Sequence, residues 1–481
     1  MQENVYHKYM ENMENTQTWT RNERYRSYDS YSADYLEALK KNVSRSPWRA
    51  RFHIEAETGL LNDPNGFSYY NGKWHLFYQW FPFGAVHGLK SWVHLTSEDL
   101  VHFEKDDVLL LPDTTFDNAG AYSGSALPID GKLFLMYTGN HRTKDWRRIP
   151  YQLGAFLNEK NELNKLEKPI IAPDFSEVTE HFRDPQIFRH DGCIYAIIGG
   201  QDLQENGIIK LYKNENKDLR SWQKVDNLKF TSDKMGYMIE CPNLVFIDEK
   251  PVLIFCPQGL DKTISAYDNI YPNMYIAAEH FDANSAELVN PSRLINLDDG
   301  FDCYATQAFN APDGRVLAIS WLGLPDTNYA TDAYGYQGAL SLVKELSLKN
   351  GKLYQYPVEA LKSLRQEEQD LNLSKVSLKE NAYELEIDFA AQESTELNLM
   401  DGALLIKFDK ESKKVTVIRG SEKRQVEVNI HQVNIFVDES IFEIFINKGE
   451  KVLSGRVFPD KDLKTISASH PTQVKLWNLG K

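Results

Sequence analysis

The sequence predicts an all-β protein: a five-bladed β-propeller, then a C-terminal β-sandwich, with a short helical N-terminal arm in front. Two observations predict the propeller. A hairpin pattern recurs five times at a spacing of about sixty residues, and a small polar motif lies roughly ten residues before each hairpin. One four-stranded sheet per repeat suits a radial arrangement, in which equivalent positions converge on one central opening.

The N-terminal arm is predicted over residues 1–45, which are polar and aromatic. Within it, residues 32–42 have the composition of a short helix with Ser32 as its N-cap. We expect this arm to pack outside the main body.

The propeller is predicted over residues 46–350 as the catalytic domain, because strand and turn patterns continue throughout this range. A pair such as Asn-Gly or Asp-Gly between alternating apolar residues indicates a hairpin, since both residues tolerate the positive φ of a two-residue turn. The five hairpin stretches are NGKWHLFYQ from Asn71, DGKLFLMYTG from Asp130, DGCIYAIIGG from Asp191, EKPVLIFCPQG from Glu249 and DGRVLAISWLG from Asp313.

Residues 351–372 are predicted to be a linker helix, because apolar residues from Pro357 to Arg365 recur at helical spacing and proline suits a first turn. Residues 373–481 return to short alternating strands with frequent turns, which is typical of a β-sandwich. We expect this last domain to be structural and to pack on the propeller.

Composition excludes several classes of function. The net charge of −15 argues against nucleic acid and against anionic membranes as partners, and an anionic substrate would need its own basic site. No apolar run approaches the roughly eighteen residues of a membrane span, and the N-terminus does not resemble a secretory signal, so we expect a cytoplasmic protein. The four cysteines show no C-x-x-C spacing and are interpreted as free thiols.

The polar motifs before the hairpins supply residues for chemistry. They gather three carboxylates, Asp63, Asp184 and Glu240, into one pocket, which is typical of a glycosidase. Each motif alone is more typical of a turn or a strand end, but recurrence at matched positions favours a shared site. The motifs are Asn62-Asp63-Pro64-Asn65, Tyr122-Ser123-Gly124-Ser125, Arg183-Asp184-Pro185, Glu240-Cys241-Pro242 and Asp302-Cys303-Tyr304.

The sequence neighbours predict a different role for each carboxylate. Two Asn side chains beside Asp63 can donate hydrogen bonds that keep it ionised, as a nucleophile requires. Glu240 has apolar neighbours, and a desolvated carboxyl favours its protonated form and can act as general acid. Asp184 follows Arg183, whose charge would keep Asp184 ionised to bind sugar hydroxyls and to stabilise positive charge on the ring.

Together the motifs closely resemble those of glycoside hydrolase family 32, which contains invertases, fructan hydrolases and sucrose-6-phosphate hydrolases. The resemblance covers roughly residues 48–481, because residues 435–449 also look like the sandwich domain of that family. It implies a retaining double displacement with Asp63 as nucleophile, Glu240 as acid/base and Asp184 as transition-state stabiliser. No metal and no organic cofactor is expected, because two carboxyls suffice for this chemistry.

Further residues match positions that the family uses around the fructosyl ring, or lie beside them. Tyr122 replaces a usual Phe, which bears on substrate preference and leaves the carboxylates untouched. Trp92 is expected to form a wall of the pocket. The predicted substrate-binding residues are Asn62, Gln79, Trp92, Tyr122, Ser123, Arg183, Tyr304 and Trp321.

The expected reaction cleaves the β-fructofuranosyl bond of sucrose 6-phosphate to glucose 6-phosphate and fructose, with sucrose as a further small-molecule substrate. The loop at residues 140–148 carries four cations on the active rim of an acidic protein, and Arg and Lys clusters bind phosphate. A solvated surface loop is the alternative interpretation. The candidate phosphate-binding residues are Lys90, Arg142, Lys144, Arg147 and Arg148.

Other functions stay open at the level of sequence. An intracellular invertase, a fructan hydrolase or a fructosyltransferase would use the same active site, and products formed at high sucrose would separate hydrolysis from transfer. A non-catalytic sugar-binding propeller would have no reason to keep both Asp63 and Glu240. The oligomeric state is open as well.

Overall fold

The computed structural model describes residues 18–215, 218–390, 392–460 and 462–480. Within these ranges strands dominate, and they form five blade sheets and one large C-terminal sheet. The predicted fold, a five-bladed propeller followed by a sandwich, is confirmed. No helix in these ranges is long and apolar enough to cross a membrane.

The N-terminal arm contains two α-helices in its described part, the one-turn helix α1 (Arg21–Arg24) and the longer α2 (Ala33–Val43). Ser32 caps α2 by accepting a hydrogen bond from the Tyr35 amide, as the sequence predicts. Residues 1–17 of the predicted arm lie outside the described residues.

The strands of the blades follow one another along the chain: β1 (Gly59–Tyr70), β2 (Lys73–Phe81), β3 (Ser91–Ser97), β4 (Phe103–Leu110); β5 (Ala121–Ile129), β6 (Lys132–Arg142), β7 (Arg148–Leu157), β8 (Leu163–Lys165); β9 (Phe182–His190), β10 (Cys193–Gln201), β11 (Gly207–Asn214), β12 (Trp222–Asn227); β13 (Met238–Ile247), β14 (Lys250–Gln258), β15 (Met274–Ala277), β16 (His280–Asp282), β17 (Glu287–Val289), β18 (Ile295–Asn296); β19 (Cys303–Asn310), β20 (Val316–Leu322), β21 (Tyr336–Gln337), β22 (Ala339–Leu340), β23 (Lys344–Lys349), β24 (Lys352–Pro357). Strands β16 and β17 form a separate hairpin, and β22 pairs with β20. Strand β21 pairs in parallel with β1, which ties the late part of the propeller to its first blade.

The predicted hairpins join the first two strands of every blade. In the first blade the turn residues Asn71 and Gly72 have φ values of 49° and 78°. In the fourth blade Asp248 and Glu249 adopt φ values of 49° and 66°, so two residues other than glycine make the same kind of turn.

The innermost strand of each blade has a break in its register at the polar motif. At three of the breaks a residue other than glycine has a positive φ: 65° at Asp184, 47° at Cys241 and 48° at Ala305. A β-bulge redirects side chains locally. The bulges therefore present the motif residues to the axis rather than to the spaces between blades.

Five buried amide and hydroxyl side chains, which we call the closing ring, join these innermost strands to one another. Each accepts a hydrogen bond from a backbone amide of the next blade, so the ring runs once around the axis. The bonds are Gly124 N to Asn65 Oδ1 (2.9 Å), Ile187 N to Ser125 Oγ (2.8 Å), Leu244 N to Gln186 Oε1 (2.9 Å), Ala308 N to Asn243 Oδ1 (3.1 Å) and Phe67 N to Gln307 Oε1 (2.7 Å).

The C-terminal domain consists of β25 (Arg365–Ser377), β26 (Ala382–Asp388), β27 (Thr395–Leu399), β28 (Leu404–Asp409), β29 (Lys414–Arg419), β30 (Glu422–Glu427), β31 (Gln432–Asp438), β32 (Ile441–Ile446), β33 (Lys451–Arg456) and β34 (Thr465–Leu479). The sheet order is β30-β29-β28-β27-β34-β26-β31-β32-β33, with β25 also on β34. The long strand β34 thus pairs with both halves of the sheet, which folds over a core of buried Leu, Ile, Val and Phe side chains.

The prediction of a linker helix over residues 351–372 is wrong. Strand β24 completes the last blade and β25 already belongs to the sandwich, so only the 3-10 helix Glu359–Leu364 lies between them. The apolar spacing seen in the sequence comes from Leu361 and Leu364, which are buried in the core that the two domains share. Two turns of 3-10 helix suffice for that contact.

The two domains meet at a buried ionic cluster. The His53 ring lies 2.9 Å from Asp438 Oδ2 and 3.1 Å from Glu443 Oε1, and all three side chains are fully buried. Burial opposes the charge on His53, but hydrogen bonds and attraction from both sandwich carboxylates outweigh it and raise the pKa of His53 to about 9. The sandwich therefore holds the chain segment that enters the first blade.

Removal of one closing-ring side chain is expected to destabilise the propeller. Gln186→Leu leaves both the amide and the carbonyl of Leu244 without their partner, at a cost of roughly 1–3 kcal/mol for each buried group. We expect the free energy of unfolding in urea to fall by about 2–5 kcal/mol. Gln223→Leu, an exposed position in the same blade, is the control and should change it by less than about 0.5 kcal/mol. Equal stability of the two variants would contradict a structural role for the ring.

Candidate active site

The three predicted carboxylates converge because the closing ring sets a common level for the five innermost strands. Two residues before each ring member stand Asp63, Ser123, Asp184, Cys241 and Ala305. One residue earlier stand Asn62, Tyr122, Arg183, Glu240 and Tyr304. The site is thus two consecutive layers of side chains at one end of the axis, directly above the ring.

Asp63 is surrounded by neutral hydrogen-bond donors. Asn62 Nδ2 donates to Asp63 Oδ1 at 2.9 Å, and the Ser123 hydroxyl donates to Oδ2. Gln79 holds both donors, since its Oε1 accepts from Asn62 at 2.8 Å and its Nε2 donates to Ser123 at 2.6 Å. The Cys241 thiol lies 3.7 Å from Oδ2. Donors of this kind stabilise a carboxylate in its ionised, nucleophilic form.

Glu240 has ionic rather than apolar surroundings, so that part of the sequence prediction is wrong. Arg183 donates to Glu240 Oε1 through Nε at 3.1 Å and Nη2 at 2.7 Å. The Tyr304 hydroxyl donates to Oε2 at 2.8 Å. The two partners come from the third and fifth blades, which are far from Glu240 in sequence.

Asp184 is the most buried of the three carboxylates, and Arg183 does not pair with it closely. The shortest separation between them is 4.0 Å, while the Cys241 amide donates to Asp184 Oδ2 at 3.1 Å. Burial raises the pKa of Asp184 to about 7; Arg183 opposes this shift, and the charges of Glu240 and Asp63 add to it. The expectation that the charge of Arg183 keeps Asp184 ionised is therefore wrong.

Lys90 lies inside the site, below Asn62. Its ammonium donates to Asn62 Oδ1 and lies 2.7 Å from His87 Nδ1. Burial lowers the pKa of Lys90 to about 7, against the attraction of Asp63 and the other two carboxylates. A buried ammonium with these partners is not on the rim, so the prediction that Lys90 binds the phosphate is wrong.

Two tryptophans predicted at the sugar site are buried. Trp92 has no exposed surface and packs between the first two blades against Phe77 and Tyr137, so the prediction of a pocket wall is wrong for it. Its indole donates to the Tyr122 carbonyl at 3.1 Å and so supports the second motif from behind. Trp321 packs edge-on against Tyr304, with a ring-centroid separation of 6.5 Å.

The cationic loop divides into two pairs of side chains. Arg142 and Arg148 are half-buried beside Tyr122, and the Arg148 guanidinium lies over the Tyr122 ring at 5.9 Å. Lys144 and Arg147 are exposed, and Arg147 lies over the ring of Phe175. Only the first pair is directed to the rim of the carboxylate site.

His181 is a site residue that the sequence analysis missed. Its Nδ1 lies 2.9 Å from Arg183 Nη1, so it orients the arginine that holds Glu240. Burial lowers the pKa of His181 to about 4, and Arg183 and Arg148 add to this shift. The one indication in the sequence is its position three residues before Asp184. Among the described residues no group of three or more His, Cys, Asp or Glu side chains could hold a metal ion.

A five-bladed propeller that gathers three carboxylates at one end of its axis defines a glycosidase. The chain belongs to glycoside hydrolase family 32: the model of the family's N-terminal domain matches residues 53–357, and that of its C-terminal domain matches residues 355–478. The resemblance drawn from the motifs is confirmed.

Individual relatives agree with this assignment. A sucrose-6-phosphate hydrolase of Lactococcus lactis subsp. lactis is 60% identical over 471 residues, which cover 96% of this chain and 100% of the relative. The structure of a sucrose-6-phosphate hydrolase from Lactobacillus gasseri matches with a TM-score of 0.92 at 46% identity, covering 96% of this chain and 99% of the other. A Bombyx mori beta-fructofuranosidase matches with a TM-score of 0.83 at 29% identity, covering 95% and 99%.

The raised pKa of Asp184 predicts a pH-dependent stability. A folded-state pKa above the ordinary 3.8 gives stability that is fully present below pH 3.8 and is lost as the pH rises through about 7. Asp184→Asn removes this contribution. As the pH falls from about 6 to about 4, the free energy of unfolding of the wild type should rise relative to that of Asp184→Asn. We expect a change of about 1.4 kcal/mol for each pH unit.

Urea denaturation of both proteins across that range measures the difference. Asp107→Asn, at an exposed position in the first blade, is the control and should show a constant offset from the wild type. A constant offset for Asp184→Asn as well would contradict the assignment of the raised pKa to this carboxyl.

Proposed function

We propose that the protein hydrolyses the β-fructofuranosyl bond of sucrose 6-phosphate with retention of configuration, and that sucrose is a second substrate. The observation that carries the proposal is the contrast between two carboxylates on adjacent layers. Asp63 accepts bonds from neutral donors only, whereas Glu240 lies between a guanidinium that holds Oε1 and a phenol whose hydroxyl can donate a hydrogen bond to Oε2 or accept one from it. A nucleophile and an acid/base need those different environments.

In the first step Asp63 attacks the anomeric carbon of the fructosyl unit and the glycosidic bond breaks. The departing oxygen takes a proton from Glu240, so the leaving sugar departs as a neutral alcohol. Arg183 and Tyr304 hold Glu240 in place for this transfer. In the second step Glu240 takes a proton from water, the water oxygen bonds to the anomeric carbon, and Asp63 leaves as a carboxylate.

Asp184 acts on the sugar rather than on the scissile bond. It stands two blades from Asp63, and both carboxylates contact the same Cys241 thiol at 3.7 Å. A carboxylate at this place accepts hydrogen bonds from the fructose hydroxyls and offsets the positive charge that develops on the ring. We propose that Asn62, Gln79, Ser123 and Trp321 also contact the fructose ring.

Support for the phosphorylated substrate comes from the name of the relative at 60% identity and from the half-buried pair Arg142 and Arg148. A guanidinium binds a phosphate dianion through charge-assisted hydrogen bonds. We assign the phosphate to this pair, and we place the reaction in the cytoplasm as the compartment where a phosphorylated sugar is available.

Replacement of the two catalytic carboxylates is expected to have distinguishable effects. Asp63→Asn should lower kcat/KM by about 10⁴-fold or more, because no covalent intermediate can form. Glu240→Gln should lower it by roughly 10²- to 10⁴-fold, and a fructoside whose leaving group departs without protonation should recover much of the loss. Glu104→Gln, an exposed carboxyl of the first blade, is the control. Recovery of Asp63→Asn by the same substrate would overturn the assignment of the nucleophile.

The phosphate assignment is tested by a comparison of two substrates. Arg148→Gln should lower kcat/KM for sucrose 6-phosphate by about tenfold to a hundredfold, since a hydrogen bond to a charged group contributes about 1.5–3 kcal/mol. The value for sucrose should change much less. Lys160→Gln, exposed at the outer edge of the same blade, should leave both values unchanged. An equal effect of Arg148→Gln on both substrates would mean that Arg148 does not bind the phosphate and that the loop is an ordinary surface loop.

A further inference from the structure

Lys90 is a buried lysine whose ammonium is bonded to two uncharged groups. It donates to Asn62 Oδ1 and lies 2.7 Å from His87 Nδ1. An ammonium can only donate, so His87 Nδ1 accepts, and the ring is neutral with its proton on Nε2. Burial, and after it the charge of Lys90, lowers the pKa of His87 well below its ordinary value, which agrees with this tautomer. Two fixed acceptors therefore hold the cation.

Asn62 transmits the direction of this bond to Asp63. With Oδ1 facing Lys90, the Asn62 amide nitrogen donates to Asp63 Oδ1 at 2.9 Å and to Gln79 Oε1 at 2.8 Å. A reversed amide would turn its oxygen toward Asp63 and its NH2 group toward the ammonium, so that acceptor would face acceptor and donor would face donor. The ammonium on one side and the carboxylate on the other thus allow one orientation of Asn62.

Gln79 and Ser123 carry the same direction to the second oxygen of Asp63. Gln79 Oε1 accepts from Asn62, so its Nε2 faces Ser123 and donates to the hydroxyl at 2.6 Å. The hydroxyl then directs its own proton to Asp63 Oδ2. This donor circuit begins at a group that can only donate and ends at a carboxylate that can only accept. Its members are Lys90, Asn62, Gln79, Ser123 and Asp63.

Main-chain contacts hold Lys90 in place beside the circuit. The Ala121 amide, two residues before Ser123, donates to the Lys90 carbonyl at 2.8 Å. Gly120, with a φ of 130°, permits this approach, because a Cβ there would lie 3.2 Å from the Lys90 amide nitrogen. The backbone of Lys90 is therefore tied to the second blade, which carries Ser123, while its side chain reaches Asn62 of the first.

We propose that Lys90 is a positioning residue for the nucleophile: its charge orients Asn62, and the donor circuit then directs a hydrogen-bond donor to each oxygen of Asp63. The inference rests on the proposed function and adds to it a residue that acts through another side chain. A cation bonded directly to Asp63 would interact more strongly with the free carboxylate than with the transition state, which would raise the barrier. Placed behind Asn62, the cation favours the ionised carboxylate without occupying the attacking oxygen.

The test compares Lys90→Met with Lys210→Met. Lys210 is also buried and also donates to an asparagine oxygen, Asn227 Oδ1 at 3.1 Å, but it lies on β11 of the third blade. We expect Lys90→Met to lower kcat by about tenfold to a hundredfold on sucrose and on sucrose 6-phosphate alike, and to change KM by less than about threefold. The acid limb of the kcat/KM profile should move to higher pH by about half a unit or more, because the ionised nucleophile loses a cation. Lys210→Met should match the wild type in these measurements.

A double-mutant cycle tests whether Lys90 acts through Asn62. Asn62→Ala removes the acceptor of the ammonium, so the further change Lys90→Met should add less than about threefold to the loss in kcat. Losses that multiply in the double variant would overturn action through Asn62.

Each other outcome overturns a stated part. An unchanged kcat or an unchanged acid limb in Lys90→Met overturns the positioning role, and so does a selective loss on sucrose 6-phosphate or a rise in KM alone, either of which would make Lys90 a substrate ligand. A wild type that is inactive on both substrates overturns the proposed function itself. If Lys90→Met does not fold, Lys90→Gln decides, since it keeps a donor and lacks the charge: a loss in kcat on both substrates supports the proposal, and wild-type values overturn it.

Discussion

The closing ring is the constraint on which the rest of the propeller depends. A radial array of blades has no hydrogen-bonded sheet across its centre, so the backbone groups of the innermost strands need other partners. Asn65, Ser125, Gln186, Asn243 and Gln307 supply them, each by accepting from an amide of the next blade. Because the proposed catalytic residues stand two and three positions earlier on the same strands, the ring also fixes the height at which every carboxylate enters the site.

Three carboxylates in two adjacent layers repel one another, and the structure offsets this charge asymmetrically. Arg183 forms two hydrogen bonds with Glu240, whereas Asp63 has only neutral donors and Asp184 has a backbone amide and a thiol. Lys90 approaches from below through Asn62 and attracts all three. One cation thus pairs with Glu240 directly, and the other attracts all three carboxylates, Asp63 most strongly.

The sequence predicts the fold well because its indicators are local. A two-residue turn such as Asn71-Gly72 and the alternation beside it depend only on neighbours in the chain, and they recur in every blade. The pairing of Arg183 with Glu240 joins residues 57 positions apart in different blades, and nothing near either residue indicates it. The prediction that Trp92 forms a pocket wall was wrong for the same reason, because its burial depends on Phe77 and Tyr137, which lie on two other strands. The prediction of a linker helix was wrong because a six-residue 3-10 helix and a longer α-helix both allow the i, i+3 spacing of Leu361 and Leu364.

Arg183 and Tyr304 contact different oxygens of the Glu240 carboxyl, and this leaves a place for a proton. Arg183 contacts Oε1 only, through two nitrogens, while Oε2 is left to the Tyr304 hydroxyl. A phenol can either donate or accept a hydrogen bond. When Oε2 is ionised Tyr304 donates to it, and when Oε2 carries the proton the same hydroxyl accepts, so Arg183 keeps its place in both states. In the proposed mechanism the carboxyl can therefore alternate between acid and base without moving, and we propose that Oε2 transfers the proton.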